Sequence, residues 1–484
     1  MRKILKFIGF GVAALLAVPL SASGQTADTV AITLQDAWDI ALSKSLTVMV
    51  ADKEIEKTGY EKKGAYASLY PNVSFSGNYQ RTIKKQTMVM KMGDVTQKIS
   101  VGTLNNLSGG FSASMPLVNV ALWRSLDISD KSVELAIESA RQSRQDLINQ
   151  VEQAFYTCLL AADLCEVYKE NYRNAEENYS QVKAKFDAGR VAKYDVIRAE
   201  VNMKNAEPNV YDSQNSLILA QWQLKALMGI NLNTNIKCVG KLSDYSYQMQ
   251  RIVMASDSID VSANSAMRQL DIQNEMLDDT YRMQLAQYYP SLAATASYNW
   301  VSMSNNLKIF NYDWNPYSVA ALSLQIPIFA GGQRKYTLRQ TKVQQQQLEL
   351  QKENARRGLV VAAKQSLSSL ETALKQYRAA KATVEGAQTG YDIAKKMYEV
   401  GRATILEVND AQLALLQSKL NLDQAIYSFL VAKSSLDLVL GVDREDKEMF
   451  GKGDELNPTR QLIIKQEEVK EEKTFPESLE GQIF

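Results

Sequence analysis

The chain has 484 residues, with 55 Lys and Arg against 54 Asp and Glu, and no histidine. Near-zero net charge excludes a chain-wide field that would draw it to nucleic acid or to an anionic membrane surface. The missing histidine excludes His-dependent triads, HExxH zinc sites and histidine general bases, and three cysteines cannot build a four-thiolate zinc site.

The N-terminus reads as a secretory signal, residues 1–24. Arg2, Lys3 and Lys6 form its basic region, Phe7 to Leu20 is uncharged and mostly apolar, and Ala22-Ser23-Gly24 offers a small-residue cleavage site. The apolar run is shorter than the ~20 residues a spanning helix needs. Leu34 to Leu69 follows as a predicted helix.

Four windows are then free of charge: Gly64 to Gln80, Ile99 to Trp123, Met283 to Leu307 and Trp314 to Gln333. Each alternates with period two. Val73, Phe75, Gly77 and Tyr79 alternate with Ser74, Ser76 and Asn78, and Phe111, Ala113, Met115 and Leu117 with Ser112 and Ser114. Later, Leu292, Ala294, Ala296, Tyr298 and Trp300 share one face, and so do Ala320, Leu322, Leu324, Ile326 and Ile328. Strands of roughly ten residues with one apolar face and one small or polar face are the pattern of outer-membrane strands. Tyr66, Tyr70, Trp123, Tyr288, Tyr289, Trp314 and Tyr317 cluster at the window ends, where an interfacial aromatic belt belongs. A soluble antiparallel sheet is the better reading of any single window; four windows in repeat-related pairs behind a signal favour the membrane. Since lipid leaves no edge unpaired and four strands cannot close a barrel, a spanning chain must oligomerise.

After Pro116 and again after Pro327 the chain is predicted helical for about seventy residues, about 105 Å at 1.5 Å per residue. Cys158, Ala161, Cys165, Tyr168, Tyr172, Ala175, Tyr179, Val182 and Phe186 step by three and four, the 3.5-residue period of a coiled-coil seam. Val408, Ala411, Leu415, Ser418, Leu422, Ala425, Phe429, Ala432, Leu436 and Val439 keep the same step. Gly189 and Gly401 close the long helices, and the short turns send antiparallel helices back beside them. Pro208 predicts a local kink in the first return helix. Cys158 and Cys165, seven apart on one helix, are about 10 Å apart along its axis and out of disulfide reach. Both read as small apolar residues, and Cys238 has no assigned role.

These elements occur twice, at an offset near 212: Lys185-Phe186-Asp187-Ala188-Gly189-Arg190 answers Met397-Tyr398-Glu399-Val400-Gly401-Arg402, and Ala226 to Ile230 answers Leu438 to Val442. Tyr70-Pro71 answers Tyr289-Pro290, and Met115-Pro116 answers Ile326-Pro327. The stretch between the paired prolines differs in length and is read as a loop. The resulting organisation is 25–230 as a first repeat, 231–261 as a linker, 262–442 as a second repeat and 443–484 as a C-terminal segment with a charged tail.

The chain resembles the TolC family of outer-membrane efflux and secretion channels over nearly its whole mature length. The most specific stretches are Leu322 to Gly332 and the two helix-turn-helix tips, Gly189 to Val196 and Gly401 to Ala411. The resemblance implies a mainly α fold: long antiparallel coiled-coil helices, four transmembrane strands per chain, and a trimer with a twelve-stranded barrel above a periplasmic helical barrel. It implies no enzyme activity and no cofactor; its partners are a periplasmic adaptor, an inner-membrane pump and outer-membrane lipid. The linker and the residues after Gly441 become an equatorial belt. Glu407 and Asp410 match acidic positions that ring the lumen where the family narrows, and Tyr398 and Asp195 match a closing tether. The chain departs from the family at Ala403, where that tether carries arginine; Arg402 stands one residue earlier. Gly189, Arg190, Gly401 and Arg402 match the tips that meet the adaptor. From the residues alone, Glu407 and Asp410 read better as acids favouring a helix N-terminus, and the family match brings the gate reading level with that. The rival function is a secreted coiled-coil spacer or adhesin without conduction. A secreted enzyme lacks a catalytic constellation here; Asp278 and Asp279, for instance, are consecutive and point apart on a helix.

Overall fold

A computed structural model describes residues 30–92, 95–250, 259–307 and 313–442; the signal sequence and the charged tail lie outside the described residues. The chain orders itself as β1 (Val30–Ile32), α1 (Leu34–Lys44), α2 (Leu46–Ala67), β2 (Asn72–Arg81), β3 (Gln86–Met92), β4 (Val95–Val101), β5 (Asn105–Val118) and the long α3 (Val120–Asp187). Then come α4 (Lys193–Met228), β6 (Ile236–Cys238), a 3-10 turn (Leu242–Tyr245), α5 (Ser246–Gln250), α6 (Ser265–Ala286), β7 (Ser291–Ser304), β8 (Asn315–Gln325), α7 (Gln333–Glu399) and α8 (Ile405–Leu440).

The repeat is faithful in length. Helices α3 and α7 have 68 and 67 residues, and α4 and α8 have 36 each. Each long helix packs along its return helix, and α8 lies against α3 as well, so the two hairpins share one core. The seam is buried as its period requires: Cys158, Ala161, Cys165, Ala175 and Val182 on α3 face inward, with Val408, Leu415, Ala425, Phe429 and Leu436 on α8. Phe186, at the end of the first stripe, is exposed. Helix α4 runs on through Pro208, which cannot donate the interior hydrogen bond of its turn.

One expectation needs correction. The single helix predicted from Leu34 to Leu69 is two helices, because Ser45 has an extended backbone (φ −66, ψ 130) and serves as C-cap of α1 and N-cap of α2. The position is fixed from outside. Gly229, left-handed at φ +67, ends α4 so close by that a Cβ there would stand 2.6 Å from the Lys44 carbonyl oxygen. Gly441 ends α8 in the same way, with a Cβ position 2.4 Å from the Ala263 oxygen. Asn264 completes this second joint: its Oδ1 accepts from Ala266 N–H at 2.9 Å, while its Nδ2 donates to the Val439 carbonyl, one of the unpaired acceptors at the end of α8. Each return helix thus ends on a glycine wedged against the start of another helix.

The stretch read as a loop between the first pair of prolines holds a β3–β4 hairpin. Two further three-residue strands, β1 and β6, pair in parallel beside α1. Cys158 Sγ of α3 lies 3.0 Å from Cys238 Sγ of β6, and all three cysteines are free thiols.

Candidate functional site: an open sheet above paired helical tips

The four long strands form one antiparallel sheet in the order β2-β5-β7-β8. Register places Phe75 opposite Phe111, Phe111 opposite Tyr298, and Ala296 opposite Ala320, so the apolar sets of all four strands share a face. Aromatic rings pack across it, Phe75 to Phe111 at 5.0 Å and Phe111 to Trp300 at 6.1 Å between centroids. The opposite face carries Ser74, Ser112, Ser297 and Ser323, and Ser74 and Ser112 share a hydroxyl hydrogen bond of 2.9 Å. The alternation read from the sequence is therefore a two-faced sheet.

Among the described residues nothing covers the apolar face. Phe75 is 63% exposed, Leu322 70% and Leu324 62%. Strand β2 pairs only with β5, and β8 only with β7, which leaves an open edge at each side among the described residues. All four strand-to-helix junctions meet at one end: Asn72 stands opposite Ser114, Leu292 opposite Val118, and Ser291 opposite Gln325. The window-end aromatics accordingly sort into two rims. Tyr66, Tyr70, Trp123, Tyr288 and Tyr289 lie at the helix-side junctions, while Trp314 and Tyr317 lie at the far end, where β8 begins.

The helices carry the chain about 100 Å from that rim, at 1.5 Å per residue over α3 or α7, to two tips held together by a core of their own. Val182, Ala199, Tyr391, Tyr398, Ile405, Val408 and Leu415 form it, drawn from α3, α4, α7 and α8. Gly189 and Gly401, left-handed at φ +71 and +79, turn the chain, and Arg190 N–H and Arg402 N–H return to the Lys185 and Met397 carbonyls at 2.8 Å each. Gly189, Arg190, Gly401 and Arg402 are all exposed.

Of the sequence-predicted residues, Glu407 and Asp410 are exposed near the start of α8. Glu407 is engaged in its own helix cap: Thr404 N–H donates to its Oε2 at 2.7 Å, and Glu407 N–H donates to Thr404 Oγ1 at 3.3 Å. Asp195 plays a similar part for α4, accepting from Ala192 N–H at 3.3 Å. Tyr398 is buried, its phenolic oxygen without a hydrogen-bond partner among the described residues. Burial pushes its phenol above the ordinary value, and the nearby Asp195 carboxylate adds to the push. The expected Tyr398 and Asp195 pair are thus neighbours that exchange no hydrogen bond in this conformation.

The residue that does grip Tyr398 is Lys185, which the sequence reading passed over. Its ammonium sits 3.8 Å from the ring centroid and donates to the Tyr398 carbonyl at 2.7 Å, bridging α3 to α7. Lys395 pairs with Glu177 at 3.3 Å, Asn202 donates to Asn409 at 3.3 Å, and the buried Gln412 donates to Asn171 at 2.8 Å. Only the repeat offset hinted at any of this, since Lys185 stands where the second half has Met397.

A family model described as outer membrane efflux protein matches residues 37–230 and 261–442. The chain belongs to the outer membrane efflux protein family. It is 23% identical to the outer membrane protein TolC of Vibrio cholerae over 348 residues, 71% of this chain and 78% of that one. It is 22% identical to the alkaline protease secretion protein AprF of Pseudomonas aeruginosa, over 87% of each chain. Its fold matches a crystal structure of CusC with a TM-score of 0.68 at 18% identity, over 84% of this chain and 92% of that one. The protein is therefore an outer-membrane efflux or secretion channel component with a TolC-like fold, and the sequence reading of family, fold class and location holds. Among the described residues no helix is long and apolar enough to cross a membrane, and no His, Cys, Asp and Glu group could hold a metal.

Proposed function

We propose that three copies of this chain pool their sheets into one twelve-stranded barrel in the outer membrane, continued by a helical tunnel through the periplasm, and that the assembly is a passive duct. The observation that carries this is the sheet: a four-stranded ribbon whose apolar face is uncovered and whose two edges are open among the described residues. In lipid such edges are intolerable, and pairing the edge of β8 with the edge of β2 in a second copy removes them. The helices support the same arrangement. Ile197, Val201, Ile218 and Trp222 on α4, and Tyr336, Val343 and Leu350 on α7, form exposed apolar stripes at coiled-coil spacing, which a neighbouring copy would cover.

The chain works without an energy source of its own, so an inner-membrane pump drives transport and a periplasmic adaptor links pump to duct at the tips, around Gly189, Arg190, Gly401 and Arg402. Glu407 and Asp410 line the narrow end. Threefold repetition sets six carboxylates around one opening, where mutual repulsion favours bound cations. The N-terminal signal delivers the chain for export, and no catalytic step is involved.

Planar-bilayer recordings of the full-length protein, purified in detergent, test the reading: discrete conductance steps with block by divalent cations from the periplasmic side are expected. Replacing both Glu407 and Asp410 by Ala should weaken that block, and unchanged block removes them from the constriction. A product that stays monomeric in aqueous buffer and forms no pore sinks the duct and favours a secreted spacer.

A further inference from the structure

The base of the first helical hairpin holds two thiols that no part of channel function uses. Cys158 lies in the middle of α3 within the central core, beside Val151, Phe155 and Leu159. Cys238 ends β6, the strand that pairs with β1 and packs on α3. Their sulfurs are 3.0 Å apart across a sequence separation of 80, about 1 Å beyond covalent length. We propose that Cys158 and Cys238 form a disulfide in the exported protein, clasping the base of the α3–α4 hairpin to the linker that follows it.

Three observations converge on this pair. The outer-membrane location takes the chain through an oxidising compartment, where juxtaposed thiols are bridged rather than kept reduced. The only other partner for Cys158, Cys165, is two turns along the same helix, about 10 Å away and out of reach. The two thiols also already share a hydrogen bond, which lowers Cys158 and raises Cys238 from the ordinary thiol value, as expected when one sulfur takes on thiolate character beside the other. The chemistry is dithiol–disulfide exchange with an exported protein disulfide donor. The Cys158 thiolate attacks the donor disulfide, forming a mixed disulfide and releasing one donor thiolate. Cys238, giving up its proton, then attacks the Cys158 sulfur and releases the second. Two protons pass to the donor sulfurs, the cysteines lose two electrons and the donor gains them. Cys158 is buried in the finished fold, so the exchange precedes final packing of the core.

The second half has no such clasp. Leu370 stands where the repeat offset places Cys158, so only the first hairpin is closed covalently. The proposal rests on export and not on conduction, so a channel with three free thiols would leave the duct untouched.

The full-length protein, purified from outer membranes in detergent without reductant, is alkylated in denaturant and mapped by mass spectrometry. A peptide pair joined through Cys158 and Cys238, lighter by about 2 Da than the two reduced peptides together, is expected, with Cys165 alkylated. Alkylation of all three cysteines before reduction overturns the proposal, and so does a bridge that uses Cys165 or joins two copies. Reductant should lower the thermal midpoint of the wild type by several degrees and leave that of Cys238→Ser unchanged; equal responses would also count against the clasp. Cys165→Ala should keep the bridge. Should Cys238→Ser not fold, the wild-type map decides alone.

Discussion

Helices α4 and α8 have the same length and the same place in the repeat, yet they live in different surroundings. Helix α4 packs chiefly on α3 and presents Ile197, Val201, Tyr211 and Trp222 to the outside. Helix α8 is enclosed by α7 and α3, and it buries Val408, Gln412, Leu415, Ala425, Phe429 and Leu430. Duplication has kept the framework, with long helix, tight turn and glycine joint in both halves, while the faces have diverged. One return helix became interior and the other kept an exposed apolar face. Pro208 follows from that division, because a helix packed on one side tolerates a missing hydrogen bond that an enclosed helix would not.

The shared framework offers the largest test. Gly441→Val places a branched side chain at φ +70 against the Ala263 carbonyl, and Gly229→Val does the same against Lys44. Each combines left-handed strain with a backbone clash, so each should destabilise by on the order of 3 kcal/mol or more, visible as loss of folded protein or a large fall in thermal midpoint. If the two joints are equivalent the losses match. A tolerant Gly229 would mean that α4 can shift where α8 cannot.

Enclosure also predicts a pH effect on one of the two return helices only. Asp423 on α8 is half-buried, and burial, with the Asp163 carboxylate next, pushes it up to about 7. Tyr211, at the matching place on α4, is exposed and carries no carboxylate. A pKa raised above its unfolded value gives stability that is complete below the unfolded value, near 4, and is lost as pH rises through about 7. Melting curves across that window should show a decline that Asp423→Asn removes, and an unchanged slope in the variant would place the titration elsewhere. Partial exposure keeps the effect below that of the glycine variants.

The starts of the two return helices differ by a cap. Thr404 and Glu407 satisfy each other's backbone donors at the head of α8, whereas Ala192 at the matching position offers α4 no side-chain acceptor. Thr404→Ala should cost about 1 kcal/mol, and Ala192→Thr should return part of that to α4. Channel recordings sharpen the meaning. If Glu407 acts only as a cap, Thr404→Ala and Glu407→Ala alter stability alike and leave cation block alone; a lumen carboxylate separates them.

Much of this was legible before any coordinates. A period of two determines which residues share a sheet face, so the apolar set through Phe75, Phe111 and Tyr298 could be written from the sequence, and a 3.5 period did the same for the seam through Val408 and Leu415. Helix lengths followed from the glycines at 189 and 401. What escaped depends on neighbours distant in the chain. The break at Ser45 is imposed by Gly229, and β1 and β6 are too short to show a period. Lys91 and Lys98 put charge on one face of the β3–β4 hairpin, so charge-free windows do not reveal it although Met88, Met90 and Met92 alternate with Val89 and Lys91. The Lys185 grip on Tyr398 and the approach of Cys238 to Cys158 span 213 and 80 residues, and no local pattern encodes either.

The tips hold the finest contrast. Tyr398 is buried under Lys185, while its counterpart Phe186 and the Lys185 counterpart Met397 are both exposed, so the contact exists on one side of the pseudo-repeat only. A tether that closes the tips through the Tyr398 hydroxyl and one that closes them through its ring make opposite predictions. The hydroxyl is unpartnered here, and removing a buried unpaired polar group costs nothing or gains stability, so Tyr398→Phe should leave the thermal midpoint and the closed conductance unchanged or improved. Lys185→Met keeps most of the packing but loses the cation over the ring and the bond to the Tyr398 carbonyl. It should cost about 0.5–1 kcal/mol and raise the frequency of open events in bilayer recordings. If Tyr398→Phe instead opens the channel, its hydroxyl finds a partner in the assembled tips, and Asp195, close enough to raise the phenol's pKa, is the acceptor to test next by Asp195→Asn.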